Sequence, residues 1–377
     1  MKIAAFNVEN LFDRAKAFNQ PESESQEILT KTAELNSIID QDSYAGKKDR
    51  LIELLKELGL SKSDKGPFVI LRQIRERLVK RRKNKPMEII ANGREDWVGW
   101  AELKLAPVNE RAIKHTGMVI RDVDADILAV VEAEDRVSLK LFSDIILEQV
   151  DGQPYDKVMV IDGNDERGID VGLMTKKEYQ ISLMKSHIHD LNSSGRTIFS
   201  RDCPEYQVIT PSGESVWVIP NHFKSKYGGD SPRSQARREG QAKRAAEIYN
   251  ELKAKGETSI VVLGDLNDTP DSDPLKPLLE ETDLKDVSEH PTFDTGEFKG
   301  KPGTNDKGTG TYGLGNDNNK IDYLLLSPDL FARVTASGLF RKGAWPGSRP
   351  KRWTVYPTLT RKVHVASDHH VIWAVID

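Results

Sequence analysis

VVLGDLNDTP, residues 261–270, is the stretch on which the reading of this chain turns. The run SIVVLG, residues 259–264, has the length and β-branched content of a strand buried on both faces. It breaks abruptly into Asp265, Leu266, Asn267, Asp268, Thr269 and Pro270. Asp, Asn and Pro are favoured where a strand ends, so the stretch alone fits a plain strand-to-turn transition. It fits equally a strand that holds Asp265 and Asn267 out for chemistry, and the rest of the sequence has to discriminate.

The same arrangement recurs along the chain. Asn7 and Glu9 follow the first apolar run, and Glu132 and Glu134 close the run ILAVV, residues 127–131. Asn221 and His222 close the run that starts at Val216, and Asp322 interrupts KIDYLLLS, residues 320–327. Asp368 and His369 immediately precede the last strand pattern. Strand ends and loops fixed on a sheet are where binding groups concentrate. Strands converging on one edge would gather these residues into a single cluster of Asp, Glu, Asn and His. Carboxylates and amides without thiols select hard cations, Mg²⁺ or Mn²⁺ above all. Histidines among them can act as acid, base or oxyanion partner around a phosphate, and the predicted chemistry is metal-assisted phosphoester hydrolysis. Asp322, set among Ile321, Tyr323 and Leu324, needs a partner if buried, and the imidazole of His369 is a natural one.

Composition narrows the class. The 377 residues suffice for one large α/β domain or two ordinary ones, and 37% are hydrophobic against 30% charged. The single cysteine, Cys203, excludes a disulfide framework and a Cys-rich zinc site. No segment approaches the roughly 18 apolar residues of a membrane span. The start, MKIAAFNVENLF, reads as a first strand rather than a signal peptide, which makes the cytoplasm the expected compartment and leaves no membrane partner. The formal net charge of −4 conceals three basic runs. Residues 72–85 carry eight basic side chains against Glu76 alone; the others are RSQARREGQAKR (233–244) and RKGAWPGSRPKRW (341–353). The last combines Trp345, Arg352 and Trp353 in a Gly/Pro-rich loop, a mixture suited to phosphate contact and base stacking.

Apolar patterns predict strands at 2–6, 125–134, 156–161, 170–175, 206–210, 215–223, 259–267, 320–327 and 369–377. Helices are expected over 137–150 and 233–256, and within 14–118 over 49–60 and 67–82. Strands and helices in rough alternation, with several strands joined directly, indicate an α/β protein of mixed sheets. Residues 14–118, rich in Lys, Glu, Ser and Gln, read as a mostly helical, basic insertion after strand one of a single domain spanning 1–377.

The order and wording of these motifs resemble the endonuclease/exonuclease/phosphatase superfamily of deoxyribonuclease I-like and exonuclease III-like enzymes. The matching segments are FNVENL (6–11), ADILAVVEAE (125–134), RGIDVGLM (167–174), NHFKSK (221–226), GDLNDTP (264–270), KIDYLLLS (320–327) and SDHH (367–370). The resemblance implies a four-layer α/β/β/α sandwich with its site at one edge of two packed mixed sheets. It implies a metal held by Glu132 with Asn7 and Asp368, a water oriented or deprotonated by Asp265, and Asn267 holding that group and the phosphate. It makes His369 the residue that binds the scissile phosphate, Asp322 the group fixing its tautomer, and His222 the second histidine near the leaving oxygen. Arg167 and Asp170 fall where the family contacts phosphate, and Asn221 and Lys224, in the same NHFKSK motif as His222, are expected to bind substrate. Two features differ from the common pattern: Val131 precedes Glu132, and Glu134 supplies a second acid on the strand. The Gly-rich segment 307–319 lacks a Gly-Lys-Ser/Thr ending, so it is no P-loop; it leads into the Asp322 strand and brings Tyr312 toward a substrate.

The resulting expectation is a Mg²⁺- or Mn²⁺-dependent nuclease that hydrolyses phosphodiester bonds of nucleic acid, DNA ahead of RNA. The competing expectation is a phosphatase or phosphodiesterase of inositol phosphates, phospholipid headgroups or nucleotides. A catalytically silent binding module is a third reading, and filled catalytic positions count against it.

Overall fold

A computed structural model describes residues 1–9, 11, 22–83, 85–104, 109–165, 168–226, 231–300, 303, 305–348 and 350–377. The chain divides into two compact units, Met1–Phe12 with Asn109–Asp377, and Asp13–Val108. The first holds two large mixed sheets. One is ordered Phe293–Asp294, Val334–Phe340, Val371–Ile376, Lys2–Asn7, Ile127–Ala133, Asp170–Thr175, Lys157–Val160. The other is ordered Lys285–Asp286, Asp322–Leu326, Ile260–Asp265, Ser215–His222, Glu205–Ile209, Gln180–Lys185.

Side-chain alternation builds the layers. Ile3, Ala5, Ile127, Ala129 and Leu173 of the first sheet meet Val216, Val218, Val261, Leu263, Leu324 and Leu326 of the second in one shared core. The intervening residues Ala4, Phe6, Leu128 and Val130 turn the other way, onto Ile113, Val119, Ile120, Leu139 and Phe142 of the helical layer. On the far side, Trp217, Ile219, Ile260, Val262, Tyr323 and Leu325 pack against Ala242, Ala245, Ile248, Tyr249 and Leu252 of the helix Pro232–Ala254. This is the four-layer α/β/β/α sandwich. Each fully buried aliphatic side chain contributes about 1.5–3 kcal/mol, so alternation with apolar residues on both faces ties each central strand to two layers at once.

The helices start where capping chemistry allows. Asn109 accepts from the backbone N–H groups of Arg111 (3.1 Å) and Ala112 (3.3 Å) to open Glu110–Val123, and Ser231 accepts from Ser234 N (3.2 Å), with Pro232 in the first turn, to open Pro232–Ala254. The helix expected over 137–150 forms with a π-helical turn at Phe142–Ile146.

The second unit is α plus β rather than mostly helical. Helices Glu22–Ile39 and Lys48–Glu57 and two short two-stranded sheets surround a core of Leu35, Leu51, Leu54, Leu55, Val69, Leu71 and Trp97. The helix expected over 67–82 is instead the strands Val69–Arg75 and Val79–Lys80, the first paired with Val98–Leu103. Val69 and Leu71 are buried while Arg72 is exposed, a period-2 pattern that β-branched residues satisfy better than a helix. The unit ends at Val108, so 109–118 belong to the sandwich.

The pairing around the opening stretch demands a glycine. Gly264 has φ +122, and a Cβ there would lie 2.1 Å from the Asn221 carbonyl oxygen on the neighbouring parallel strand. Gly264→Ala is expected to destabilise the protein by about 3 kcal/mol, from strained backbone plus forced strand separation. Urea unfolding checks this; a loss below about 1 kcal/mol would show that the strands give way freely.

Candidate active site

Three strands of the sandwich end and a fourth begins at one edge, and the same alternation that builds the inner core aims their edge side chains. Asp265 continues the inward series of Val261 and Leu263, and His222 that of Val216 and Val218. Asp322 continues the series of Leu324 and Leu326, and Asn7 that of Ile3 and Ala5. All four are buried.

Asp265 is the hub. Its Oδ2 accepts a hydrogen bond from Asn7 Nδ2 at 3.1 Å and lies 3.8 Å from His222 Nε2 and 3.9 Å from His369 Nε2. Its Oδ1 accepts the backbone N–H of Asn267 at 2.8 Å. Asn267 itself has φ +55, and its amide donates to the Phe223 carbonyl (3.1 Å), which pins the turn to the end of the His222 strand. Burial, and then the neighbouring Asp322 carboxylate, push the Asp265 carboxyl above its ordinary range.

Asp322 Oδ2 sits 2.8 Å from His369 Nδ1, which leaves Nε2 facing Asp265 and Asp368 Oδ1, 3.8 Å away. Burial opposes charge on the imidazole, but the Asp322 carboxylate and its hydrogen bond, with Asp265 and Asp368, outweigh it and hold the pKa well above the usual histidine value. Two residues without a role in the sequence reading lock this pair. Ser367 Oγ donates to the Asn7 carbonyl (2.7 Å) and accepts from His369 N (3.0 Å), and Thr311 Oγ1 accepts from Asp322 N (2.9 Å). The small hydroxyl before Asp368 was visible in the SDHH motif; nothing in the sequence points from Thr311 to Asp322.

Glu132 reaches the site by a β-bulge. Strict alternation would send it with Leu128 and Val130 into the helical layer. The register against Asp170–Thr175 slips between Val131 and Ala133, and Glu132 takes φ +66. Its Oε1 then lies 3.8 Å from His222 Nε2, across from the second sheet. A strained, positive-φ bulge at a polar site is a typical device for re-aiming one side chain.

The donor set fits a hard cation. Glu132, the Asn7 amide oxygen and Asp368 offer oxygen only, and Asp368 is partly exposed. Asp265, Asp322 and His369 are the trio whose donor atoms lie within 4.8 Å of one another among the described residues. One Asp322 oxygen and one imidazole nitrogen of that trio are already spent on each other, which suits proton handling better than ligation.

The other residues singled out in the sequence divide sharply. Tyr312 is exposed, bridges to His369 through the backbone, and sets its ring edge-on to the imidazole at 5.0 Å. Asn221, one residue out of phase with His222, points to the outer layer with Ile219 and donates to the Ile219 carbonyl (3.0 Å), so it is not at the site. Lys224 has its backbone N–H on Gln241 Oε1 (2.7 Å), behind the Asn267 turn. The Asp170 carboxyl is buried and takes the Gly163 N–H (2.9 Å); burial, with Asp162 beside it, raises it to about 7. Arg167 lies outside the described residues.

In the third basic run Arg341, Arg352 and Trp353 turn inward. Trp353 is buried, with its indole N–H on the Ala344 carbonyl (3.2 Å), and Trp345 packs half-buried against the outer core. Arg352 is buried on the Leu314 carbonyl (3.1 Å) and Asn316, and Arg341 is buried over the Trp353 ring. These cations hold the Gly-rich segment by its carbonyls, a structural use of mixed Arg/Trp composition. In the second run Arg238 is buried against Asp268 (2.8 Å), the acid next to Asn267, and Arg244 pairs with Asp190 (2.7 Å).

A family model described as "Endonuclease/Exonuclease/phosphatase family" matches residues 88–342, more than half of the chain. The chain belongs to this family, and it is a divalent-metal-dependent phosphoesterase. Similar solved structures include an endonuclease/exonuclease/phosphatase from Bacteroides vulgatus (16% identity, TM-score 0.50, covering 71% of this chain and 92% of that one). Others are mannosyl-6-phosphatase Bt3783 of Bacteroides thetaiotaomicron VPI-5482 (14%, TM-score 0.49, 71% and 91%) and truncated TDP2 of Caenorhabditis elegans (15%, TM-score 0.45, 70% and 88%). At 16% identity the likeness to the Bacteroides vulgatus structure establishes the fold alone. No curated protein sequence matches the chain. Among the described residues no helix is long and apolar enough to cross a membrane.

Proposed function

We propose that the protein is a Mg²⁺- or Mn²⁺-dependent phosphodiesterase of nucleic acid. The observation that carries the reaction is the convergence of Asn7, His222 and His369 on the one oxygen Asp265 Oδ2. A cation held by Glu132, Asn7 and Asp368 would neutralise phosphoryl charge. Asp265, desolvated and raised in pKa, accepts a proton from the attacking water, and Asn7 and the Asn267 turn fix its orientation. His369, kept cationic by Asp322, donates Nε2–H to a non-bridging phosphate oxygen as charge builds there. His222, on the opposite side of Asp265, is placed to serve the leaving oxygen.

The preference for nucleic acid over a small ester rests on the first basic run. Arg238, Arg244, Arg341 and Arg352 of the other two runs are buried or paired, whereas Arg75, Arg77, Lys80, Arg82, Lys83 and Lys85 of the first are exposed, and among the described residues no carboxylate forms an ion pair with them. The test is turnover of plasmid, single-stranded DNA and RNA against phosphomonoesters with Mg²⁺, Mn²⁺ or EDTA. Metal-dependent strand cleavage is the expected result. Phosphate release from monoesters with nucleic acid left intact would overturn the nuclease reading and leave a phosphatase.

A further inference from the structure

The Asp13–Val108 unit differs in charge from the rest of the chain. Lys and Arg outnumber Asp and Glu 19 to 16 within it, against 36 to 43 elsewhere. The excess is not spread evenly. A cavity of about 560 Å³ is lined by Lys48, Lys80, Arg82 and Lys85, with Glu88 as its one acid, over a floor of Ile52, Pro86, Met87 and Ile89. Lys48 is held in place by the Asn92 side chain (2.8 Å), so its ammonium is positioned rather than free to leave. Lys80 stands across the strand pair from Glu88, and that single acid cannot balance four cations. Like charges brought together cost stability, and without a bound anion Glu88 alone offsets part of that cost. The floor is unusual for a purely solvated basic face: Ile52 and Met87 pack onto the unit's own core and present apolar surface at the base of the cavity.

We infer that this cavity is a strand-holding site of the proposed nuclease: it takes one nucleotide of a single-stranded nucleic acid, base on the Ile52–Pro86–Met87 floor and flanking phosphates on Lys80, Arg82 and Lys85. The volume falls in the range of small-ligand sites, which suits one nucleotide unit and not a duplex. Cations round an apolar floor supply backbone neutralisation and an aliphatic surface for one base, in place of the aromatic platform such sites use elsewhere. None of these residues belongs to the Asp265 site, so the cavity sets strand affinity and not the chemical step. The inference rests on the nucleic-acid reading, and binding in EDTA separates the two.

The experiment is fluorescence anisotropy of a labelled single-stranded DNA dodecamer in EDTA, titrated at several salt concentrations with the full chain. The variants are Lys80→Gln/Arg82→Gln/Lys85→Gln and a control, Lys243→Gln/Lys255→Gln/Lys285→Gln, which removes the same charge from exposed positions elsewhere. The cavity variant should bind at least tenfold more weakly and lose about 2 from the slope of log affinity against log salt, the value for three lost phosphate contacts on a single strand. The control should stay within about twofold of the parent. Turnover of bis(4-nitrophenyl) phosphate with metal should be unchanged in both. Equal weakening in the two variants would mean a diffuse field, and an unchanged salt slope in the cavity variant would remove the site; either overturns the inference. Binding of labelled adenosine monophosphate with no binding of the dodecamer would overturn the strand assignment in favour of a free nucleotide. Strand binding lost in the cavity variant, with no cleavage under any metal, would uphold the site and sink the nuclease reading alone.

Discussion

Asp265→Asn should lower kcat by about a thousandfold, the middle of the range for removing a positioned general base. The substitution keeps the shape and leaves Oδ1 able to accept the Asn267 N–H. What it changes is the other atom. An amide nitrogen replaces the oxygen that takes the Asn7 amide at 3.1 Å, so two donors would face each other in a buried place. The same nitrogen would stand opposite His222 and His369 with no proton-accepting capacity. Loss of stability would not account for the result. Because the Asp265 pKa is raised above its unfolded value, ionising it weakens the fold as pH rises from the unfolded carboxyl range toward the folded one. The neutral amide removes that penalty, which offsets the donor–donor contact with Asn7, so above this window the variant should melt close to the parent. The measurements are kcat on bis(4-nitrophenyl) phosphate at saturating metal and a thermal melt at the same pH. Less than a tenfold loss of kcat would deny Asp265 the role of base.

How much of this was legible depends on whether the backbone kept to its period. Asp265, His222, Asp322 and Asn7 lie on regular strands, so the apolar residues at even spacing along each strand, before Asp265, His222 and Asn7 and after Asp322, foretell the face each one takes. The same rule, applied one residue further, would have excluded Asn221, which shares the phase of Ile219 rather than of Val218. Glu132 shows the converse. Its period assigns it to the helical layer, and only the bulge at φ +66 returns it to the site; no residue type near it announces a bulge. The strands Gln180–Lys185 and Val334–Phe340 escaped prediction because one is largely exposed and the other carries Ala, Ser and Gly where apolar bulk would mark a strand. The Arg/Trp loop misled for a different reason. Arg341, Arg352 and Trp353 have the composition of a phosphate-contacting surface, but backbone carbonyls of Thr295, of the Gly-rich segment and of the loop itself take up their donors first. Composition cannot tell whether a guanidinium meets a phosphate or a carbonyl.

His369→Ala should cost as much as Asp265→Asn, about a thousandfold in kcat, since it removes the group that meets charge developing on the phosphate. Asp322→Asn is the sharper variant. At present the carboxylate 2.8 Å from Nδ1 sustains the imidazolium and with it a proton on Nε2. An amide there can offer its oxygen to Nδ1–H but no charge, so the His369 pKa should fall toward or below its ordinary value, because burial then acts unopposed by its nearest partner. The expected loss at neutral pH is about a hundredfold, and it should shrink as the assay is taken to lower pH, where His369 recovers its proton. A purely structural defect would not follow the pH in this way. Combined with His369→Ala, Asp322→Asn should add almost nothing, because a residue that works through an imidazole has no effect once the imidazole is gone. If the double variant instead loses the product of the two single effects, Asp322 acts independently of His369, and the oxygen it offers within 4.8 Å of Asp265 becomes a cation ligand after all.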